Sequence, residues 1–104
     1  MNTQKKILIE QFVETLPILR AAIVASQADV AAAVGISRQT YCALEQKKRD
    51  TSWNTFLSLF SFFGVNEKSH KIMLAKKDFI PTVKRNLIIG TEIKQDCLLY
   101  IVRN

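Results

Sequence analysis

Residues 27–46, QADVAAAVGISRQTYCALEQ, contain two short helical patterns joined by a turn. Val30 and Val34 recur at helical spacing and predict a first helix over 27–34, with one apolar face. Gly35 follows the last apolar residue, where many helices end in a left-handed conformation that suits glycine. The pattern therefore predicts a helix that stops abruptly and lets the chain turn.

The second pattern begins after Ser37, whose hydroxyl can cap a helix by accepting a hydrogen bond from an exposed backbone N–H. A helix over 38–46 would direct Tyr41 and Leu44, three residues apart, towards a core. The side chains left facing outwards are Arg38, Gln39 and Ala43.

This arrangement resembles the helix-turn-helix of the lambda-repressor-like and Cro-like family, also called the xenobiotic-response-element family. The residues that carry the resemblance are Ser26-Gln27, Val30-Ala31, Gly35–Thr40 and Leu44-Glu45, and it extends more weakly over 16–65. It implies an all-α bundle of about five helices. A DNA-binding domain would span 1–80, and a helical or extended C-terminal extension would span 81–104. The alternative is an ordinary helical hairpin that makes no contact with DNA.

The resemblance also implies which residues meet DNA. In related repressors the first residues of the second helix reach base edges in the major groove, and here these are Arg38 and Gln39, with Ala43 one turn later. Arginine can bind O6 and N7 of guanine, and glutamine can bind N6 and N7 of adenine. Phosphate contacts are implied for Gln27, Thr40, Lys47, Lys48 and Arg49.

An arginine within an apolar segment needs an anion if it is buried, and Arg20 stands among leucine, isoleucine and alanine residues. In the family, an arginine six residues before the Ser-Gln pair usually pairs with a glutamate near the end of the second helix. We therefore predict a partly buried, structural ion pair between Arg20 and Glu45. The family usually has a glycine next, but here 46–49 read QKKR. Either the helix continues for a turn, or a non-glycine residue adopts a positive φ.

The net charge of +6 is unevenly distributed along the 104 residues. Residues 1–36 balance three bases with three acids, whereas residues 37–49 hold four bases and one acid. A positive field that begins at the second helix suits a phosphate-facing surface, although a solvated basic loop is the alternative. Residues 67–85 add six bases and two acids, which form either a second electrostatic contact or a solvated face.

Patterns outside the motif predict the remaining helices. Residues 3–16 form an amphipathic pattern, and Pro17 predicts a break or kink before a further helix through Ile23. The alternative is one kinked helix from Thr3 to Val24. Downstream we predict a helix over 53–63, capped by Thr51 or Ser52 and ended by Gly64. A helix capped by Asn66 then spans 67–79, and Pro81 separates it from one over 82–89 that ends at Gly90.

Three further residues and one segment bear on assembly and chemistry. His70 is the chain's one histidine and is expected on the surface, without a catalytic or metal-binding partner. Leu59 and Phe62 exceed what one small core is expected to bury. We therefore expect either the aromatic helix predicted over 53–63 or the apolar run over 97–102 to form a dimer contact.

Size and composition indicate one domain with no membrane span and no signal peptide. Cys42 and Cys97 lack metal-ligand spacing, which is typical of a reduced cytoplasmic protein. Cys42 is interpreted as a small filler residue, and the alternative is a redox switch on the DNA face. The chain has no Gly-rich phosphate loop and no Cys/His or carboxylate constellation. We therefore expect no enzyme, catalytic residue, metal, cofactor or small-molecule substrate.

These observations predict a sequence-specific transcriptional regulator that binds double-stranded DNA, and within that class a repressor. A homodimer would match a palindromic operator, because the two-fold symmetry of the protein mirrors that of the site. The alternative is the same fold used as a protein-interaction module, such as an antitoxin or anti-repressor.

Overall fold

The computed structural model describes residues 3–76 and 79–87, which form six α-helices and no strand. The prediction of an all-α fold is confirmed for this part of the chain. The apolar run over 97–102, Cys97 and the helix end predicted at Gly90 lie outside the described residues. The helices in chain order are α1 Thr3–Ala22, α2 Gln27–Val34, α3 Arg38–Glu45, α4 Trp53–Val65, α5 Glu67–Ala75 and α6 Phe79–Leu87.

Helix α1 is the centre of the bundle, since it packs against α3, α4, α5 and α6. Its Phe12 ring lies 5.1 Å from Phe56 in an edge-on contact and 5.6 Å from Phe79 in a stacked contact, measured between ring centroids. Such aromatic pairs add about 0.5–1.5 kcal/mol each beyond the area they bury. Leu59 is fully buried in this core. The prediction that it exceeds one small core is therefore wrong, and Phe62, predicted with it, is partly buried and packs against the same core.

Helix α1 runs without interruption through Pro17, so the predicted break is wrong and the single-helix alternative fits, with the helix ending at Ala22. Proline removes one backbone hydrogen bond and costs roughly 3 kcal/mol inside a helix. Leu16 and Leu19 flank it and are 0% and 1% exposed. Fully burying each leucine contributes about 1.5–3 kcal/mol, which is enough to keep the helix whole.

Helix α4 continues through Gly64 to Val65, so glycine does not end it as predicted. Its last carbonyl groups find side-chain donors instead. The Asn66 amide donates to the Phe62 carbonyl oxygen at 2.7 Å, and the Ser69 hydroxyl donates to that of Phe63 at 2.7 Å. Asn66 therefore closes α4 and makes no side-chain cap for α5. Ser52, by contrast, caps the start of α4 as predicted, by accepting from the Thr55 N–H at 3.1 Å.

The boundary between the last two helices also differs from the prediction. Helix α5 ends at Ala75 rather than at Phe79, and α6 begins at Phe79 rather than after Pro81. Pro81 occupies the first turn of α6, where a backbone N–H would have no partner within the helix. Proline is therefore tolerated there and does not separate the helices.

Helices α1, α2 and α3 all end at a residue in the left-handed conformation: Val24 (φ 55°), Gly35 (φ 81°) and Lys47 (φ 59°). After α3, the Lys48 N–H donates to the Ala43 carbonyl oxygen at 2.9 Å, and the Lys47 N–H donates to that of Leu44 at 3.1 Å. These two bonds close the helix in a Schellman motif. Of the two alternatives for 46–49, the positive φ is the one observed, and α3 ends one residue earlier than predicted.

Val24→Gly should raise the free energy of unfolding by about 1 kcal/mol, because a β-branched residue in the left-handed region is strained and glycine is not. The Val24 side chain is 88% exposed, so little packing is lost. Urea denaturation measures the change. Val65→Gly is the matched control, since Val65 is helical, and it should lower stability by several tenths of a kcal/mol. A decrease in both variants would contradict strain at Val24.

His70 is 8% exposed, so the predicted surface position is wrong. Its place on α5, one turn before buried Met73, turns it to the core side of the helix. Its Nδ1 has no hydrogen-bond partner within 3–76 and 79–87. Burial lowers the pKa of His70, because it disfavours the charged imidazolium.

The buried histidine predicts an acid-sensitive stability. In the unfolded chain the pKa of histidine is about 6.5, so the unfolded state takes up a proton before the folded state does. The stability is complete above this pH and falls as the pH drops below it, by at most about 1.4 kcal/mol per pH unit. His70→Gln should make the free energy of unfolding less sensitive to pH between about 7.5 and 5.5. Equal pH dependence in parent and variant would contradict the prediction.

Candidate nucleic-acid interface

The start of α2 is held by reciprocal hydrogen bonds between Ser26 and Asp29. The Asp29 N–H donates to the Ser26 hydroxyl at 3.0 Å, and the Ser26 N–H donates to the Asp29 carboxylate at 2.9 Å. This capping box satisfies two backbone donors that the helix leaves free. The hydrogen bonds from Ser26 also hold the pKa of Asp29 below its usual value. The start of α2 is thus determined by residues adjacent to it in the sequence.

The turn between α2 and α3 is equally well defined. The N–H groups of Gly35 and Ile36 both donate to the Ala31 carbonyl oxygen, at 2.9 and 3.0 Å. Nothing lies within 4 Å of a Cβ built on Gly35, so glycine is needed for its backbone conformation and not for space. Ser37 then caps α3 by accepting from the Thr40 N–H at 3.0 Å.

Helix α3 has a buried face and an exposed face, as its spacing predicts. Tyr41 and Leu44 are 0% and 2% exposed and anchor it to the core. Arg38 and Gln39 are exposed in its first turn, whereas Ala43 is partly exposed one turn further on. The Thr40 hydroxyl accepts a hydrogen bond from Ser37 at 2.8 Å and keeps its own proton available for another acceptor.

The loop after α3 exposes the three predicted phosphate-binding cations, Lys47, Lys48 and Arg49. They are not equivalent. The Lys47 Nζ lies 2.8 Å from a carboxylate oxygen of Glu14 on α1, and this exposed pair lowers the pKa of Glu14. Lys48 and Arg49 make no ion pair with any described residue. They are consequently the cations of this loop best placed to receive an external anion.

The fold brings Lys6 of α1 to this loop, which the sequence patterns do not predict, and it places the neighbouring Lys5 over an aromatic ring. Lys6 lines the same open cleft of about 530 Å³ as Lys47 and Arg49. The Lys5 Nζ lies 4.6 Å from the centroid of the Trp53 ring at the start of α4. The cleft also holds three acids, which balance its cations: Glu10, Glu14 and Asp50. The sequence offers one indication of the position of Lys6: it lies one helical turn before the apolar Ile9, which is buried.

The predicted ion pair between Arg20 and Glu45 is present and bidentate. The Arg20 Nε and Nη2 atoms donate to the two carboxylate oxygens at 2.6 and 3.1 Å. The Nη1 atom donates to the Ala25 carbonyl oxygen at 3.2 Å. Since the Glu45 side chain is only 7% exposed, this pair connects the end of α3 to α1 and to the turn before α2.

Opposing effects act on the pKa of Glu45. Burial alone raises it, but the hydrogen bonds from Arg20 and Gln27 and the neighbouring Tyr41 hydroxyl outweigh burial and lower it. The buried Tyr41 hydroxyl makes no hydrogen bond of good geometry with any described residue. Burial and the adjacent Glu45 charge raise the pKa of Tyr41. The ionised Glu45 carboxylate is therefore the hydrogen-bond acceptor that attaches the end of α3 to Arg20 and Gln27.

Gln27 bridges α2 and α3 through both ends of its amide. Its Nε2 donates to Glu45 at 3.2 Å, and the Cys42 thiol donates to its Oε1 at 3.0 Å. The side chain predicted to contact phosphate is thus engaged inside the protein. Cys42 is partly buried and helps to hold the two helices together.

No protein-family model, curated protein or solved structure matches this chain. Within the described ranges, none of the helices combines the length and the apolar character needed to cross a membrane. The same residues include no group of three His, Cys, Asp or Glu side chains placed to hold a metal ion. The candidate interface consists of the exposed first turn of α3 and the exposed basic loop that follows this helix.

Proposed function

We propose that this protein is a cytoplasmic, sequence-specific regulator that binds double-stranded DNA with a lambda-repressor-like helix-turn-helix, and that it acts as a repressor. The observation that carries the proposal is the first turn of α3. There Arg38 and Gln39 are exposed side by side, while Tyr41 and Leu44 hold the same helix to the core. A helix held in this way can enter the major groove without refolding.

The two exposed side chains have the chemistry of direct base recognition. The guanidinium of Arg38 suits the O6 and N7 acceptors of guanine, and the amide of Gln39 suits the N6 donor and N7 acceptor of adenine. Ala43 is short enough to read only a thymine methyl group. We therefore expect a short recognition sequence for each subunit.

Affinity would come mainly from phosphates. Lys48 and Arg49 lie in the loop after α3 and are exposed, and at the other end of the helix the Thr40 hydroxyl can donate to a further phosphate oxygen. Lys47 would first have to break its ion pair with Glu14, which reduces its contribution to the affinity for DNA. Since its side chain is engaged, Gln27 would contribute through the backbone at the start of α2.

Lys48→Ala should weaken binding to all duplexes alike and reduce the slope of log affinity against log salt by about 0.9, because one released counterion is lost. Fluorescence anisotropy at several salt concentrations measures both quantities. Lys68→Ala is the matched control, since this exposed lysine lies on α5, which packs mainly against α1, α4 and α6.

An unchanged slope in Lys48→Ala would place this residue outside the interface. Equal losses in both variants would mean that binding is spread over the cationic surface and not centred on α3. No binding to any duplex at low salt would contradict the proposal and favour the protein-interaction module.

A further inference from the structure

One side of α3 carries both a side chain proposed to read bases and the residues that Gln27 binds. Cys42 follows Arg38 by four residues, and Glu45 follows Cys42 by three, so these residues form one stripe along the helix. The Gln27 amide lies against the second half of this stripe, because its Nε2 donates to Glu45 at 3.2 Å and its Oε1 accepts from the Cys42 thiol at 3.0 Å. The contact at Cys42 is therefore one helical turn from Arg38, on the same side of the helix.

The other attachments of α3 act on its core side and at its last residue. Its buried face packs against the core, and Arg20 binds the carboxylate of Glu45. Among the described residues, the one side-chain hydrogen bond at Cys42 is that with Gln27. This bond between α2 and α3 consequently resists rotation of α3 about its own axis, close to the turn that faces outwards.

The contact needs a group that donates and accepts at the same time. The ionised Glu45 carboxylate can only accept, whereas the Cys42 thiol has a proton to donate. The Gln27 amide supplies an N–H to the first and an oxygen to the second. Exchanging its two ends would bring the amide oxygen against the carboxylate, and a carboxylate or an ammonium group at position 27 would serve only one of the two partners. The orientation of the amide is thus fixed.

We propose that the hydrogen bond between Gln27 and Cys42 sets the rotation of α3 and thereby the base preference of the two side chains in its first turn. Both residues are positioning residues. This inference rests on the proposed DNA binding, and it replaces the phosphate contact that the resemblance implies for the Gln27 side chain. A binding constellation tolerates displacements of only about 0.5 Å. Because the tips of long side chains lie far from the helix axis, a small rotation of α3 exceeds this tolerance.

The first test is Gln27→Met, which keeps the length of the side chain and removes both hydrogen bonds. The duplex that the parent enriches from a randomised pool competes with its single-base variants, and their affinity ratio measures the base preference. We expect this preference to fall roughly three- to tenfold, which is the contribution of one ordinary hydrogen bond. Gln11→Met is the matched control, because it changes an exposed glutamine of α1 and should leave the preference unchanged.

The second test compares Cys42→Ser with Cys42→Ala. Serine keeps a donor for the Gln27 oxygen, so Cys42→Ser should retain most of the base preference, whereas Cys42→Ala should lose it. A purely structural role would predict the opposite order, because alanine favours a helix more than serine does. Adding Cys42→Ala to Gln27→Met should cause no further loss, since the bond that it removes is already absent. Additive losses would mean that Cys42 itself contacts DNA, and would overturn the proposal.

Three other results would overturn the positioning role. They are a loss in Gln27→Met that is equal for all duplexes, an unchanged preference in this variant, and equal preferences in Cys42→Ser and Cys42→Ala. In each of these cases the parent still prefers its own duplex, so the proposed DNA binding stands. A parent that enriches no duplex would overturn the proposed function together with this inference.

Discussion

Replacing Arg20 with methionine should lower the free energy of unfolding by about 3–5 kcal/mol, because it leaves a buried carboxylate without its partner. Glu45 is 7% exposed and receives two hydrogen bonds from Arg20, so little solvent reaches the carboxylate to replace the guanidinium. The change also removes the bond from Arg20 to the Ala25 carbonyl oxygen. Urea denaturation at neutral pH, followed by circular dichroism, measures the loss.

The variant should also change how the stability depends on pH. In the parent, the pKa of Glu45 is lowered, so its contribution is present above the usual glutamate pKa and is lost as the pH falls through the folded value. Without Arg20, burial is the largest remaining effect, and it raises the pKa of Glu45. The variant should then become more stable, relative to the parent, as the pH falls towards the usual glutamate pKa.

Two comparisons identify the cause of the loss. The double variant Arg20→Met with Glu45→Met should recover much of the stability, since replacing a buried pair by apolar groups is often neutral. Glu14→Gln is the matched control, because it breaks the exposed pair with Lys47 and should change stability little. If Arg20→Met and Glu14→Gln had the same small effect, the buried pair would not hold α3 in place.

Arg38→Ala should lose about 1–3 kcal/mol of discrimination at one or two base positions, which is the usual contribution of a bidentate base contact. Weak binding to all duplexes should persist, because Lys48 and Arg49 still meet phosphates. Arg38 is exposed and makes no ion pair in the part of the chain that the structure describes, so the fold should remain intact.

Competition between duplexes that differ at single positions measures this discrimination. Arg49→Ala is the matched control, since it removes an exposed arginine of the loop and should weaken all duplexes to a similar extent. A uniform loss in Arg38→Ala, without any change in base preference, would contradict a role in reading bases.

The α2–turn–α3 unit could be predicted closely because its determinants are local. Ser26 and Ser37 cap the helices within three residues of their own position, and Gly35 adopts the left-handed conformation that its place after an apolar face implies. The partner of Arg20 was implied by the resemblance and by the need of a buried cation for an anion. Where the interacting residues are close in sequence, or where a buried charge has few possible partners, few alternative structures are possible.

The remaining features depend on packing between distant segments. Pro17 lies inside a continuous helix because the leucines around it reach a core formed by α4, α5 and α6. Gln27 turns inwards because its Nε2 donates to Glu45 and its Oε1 accepts from the Cys42 thiol, both on the next helix. Lys6 reaches the basic loop only because α1 passes beside it. Periodicity within one segment contains no information about such neighbours.

The measurement that tests the central claim most directly is selection of binding sites from a pool of randomised duplexes. The parent and the Arg38→Ala, Gln39→Ala double variant are selected side by side, after both are shown to unfold at the same temperature. We predict that the parent enriches a palindromic sequence containing guanine and adenine contacts, and that the double variant enriches none. Enrichment of the same sequence by both proteins, or of none by the parent, would contradict base recognition by α3.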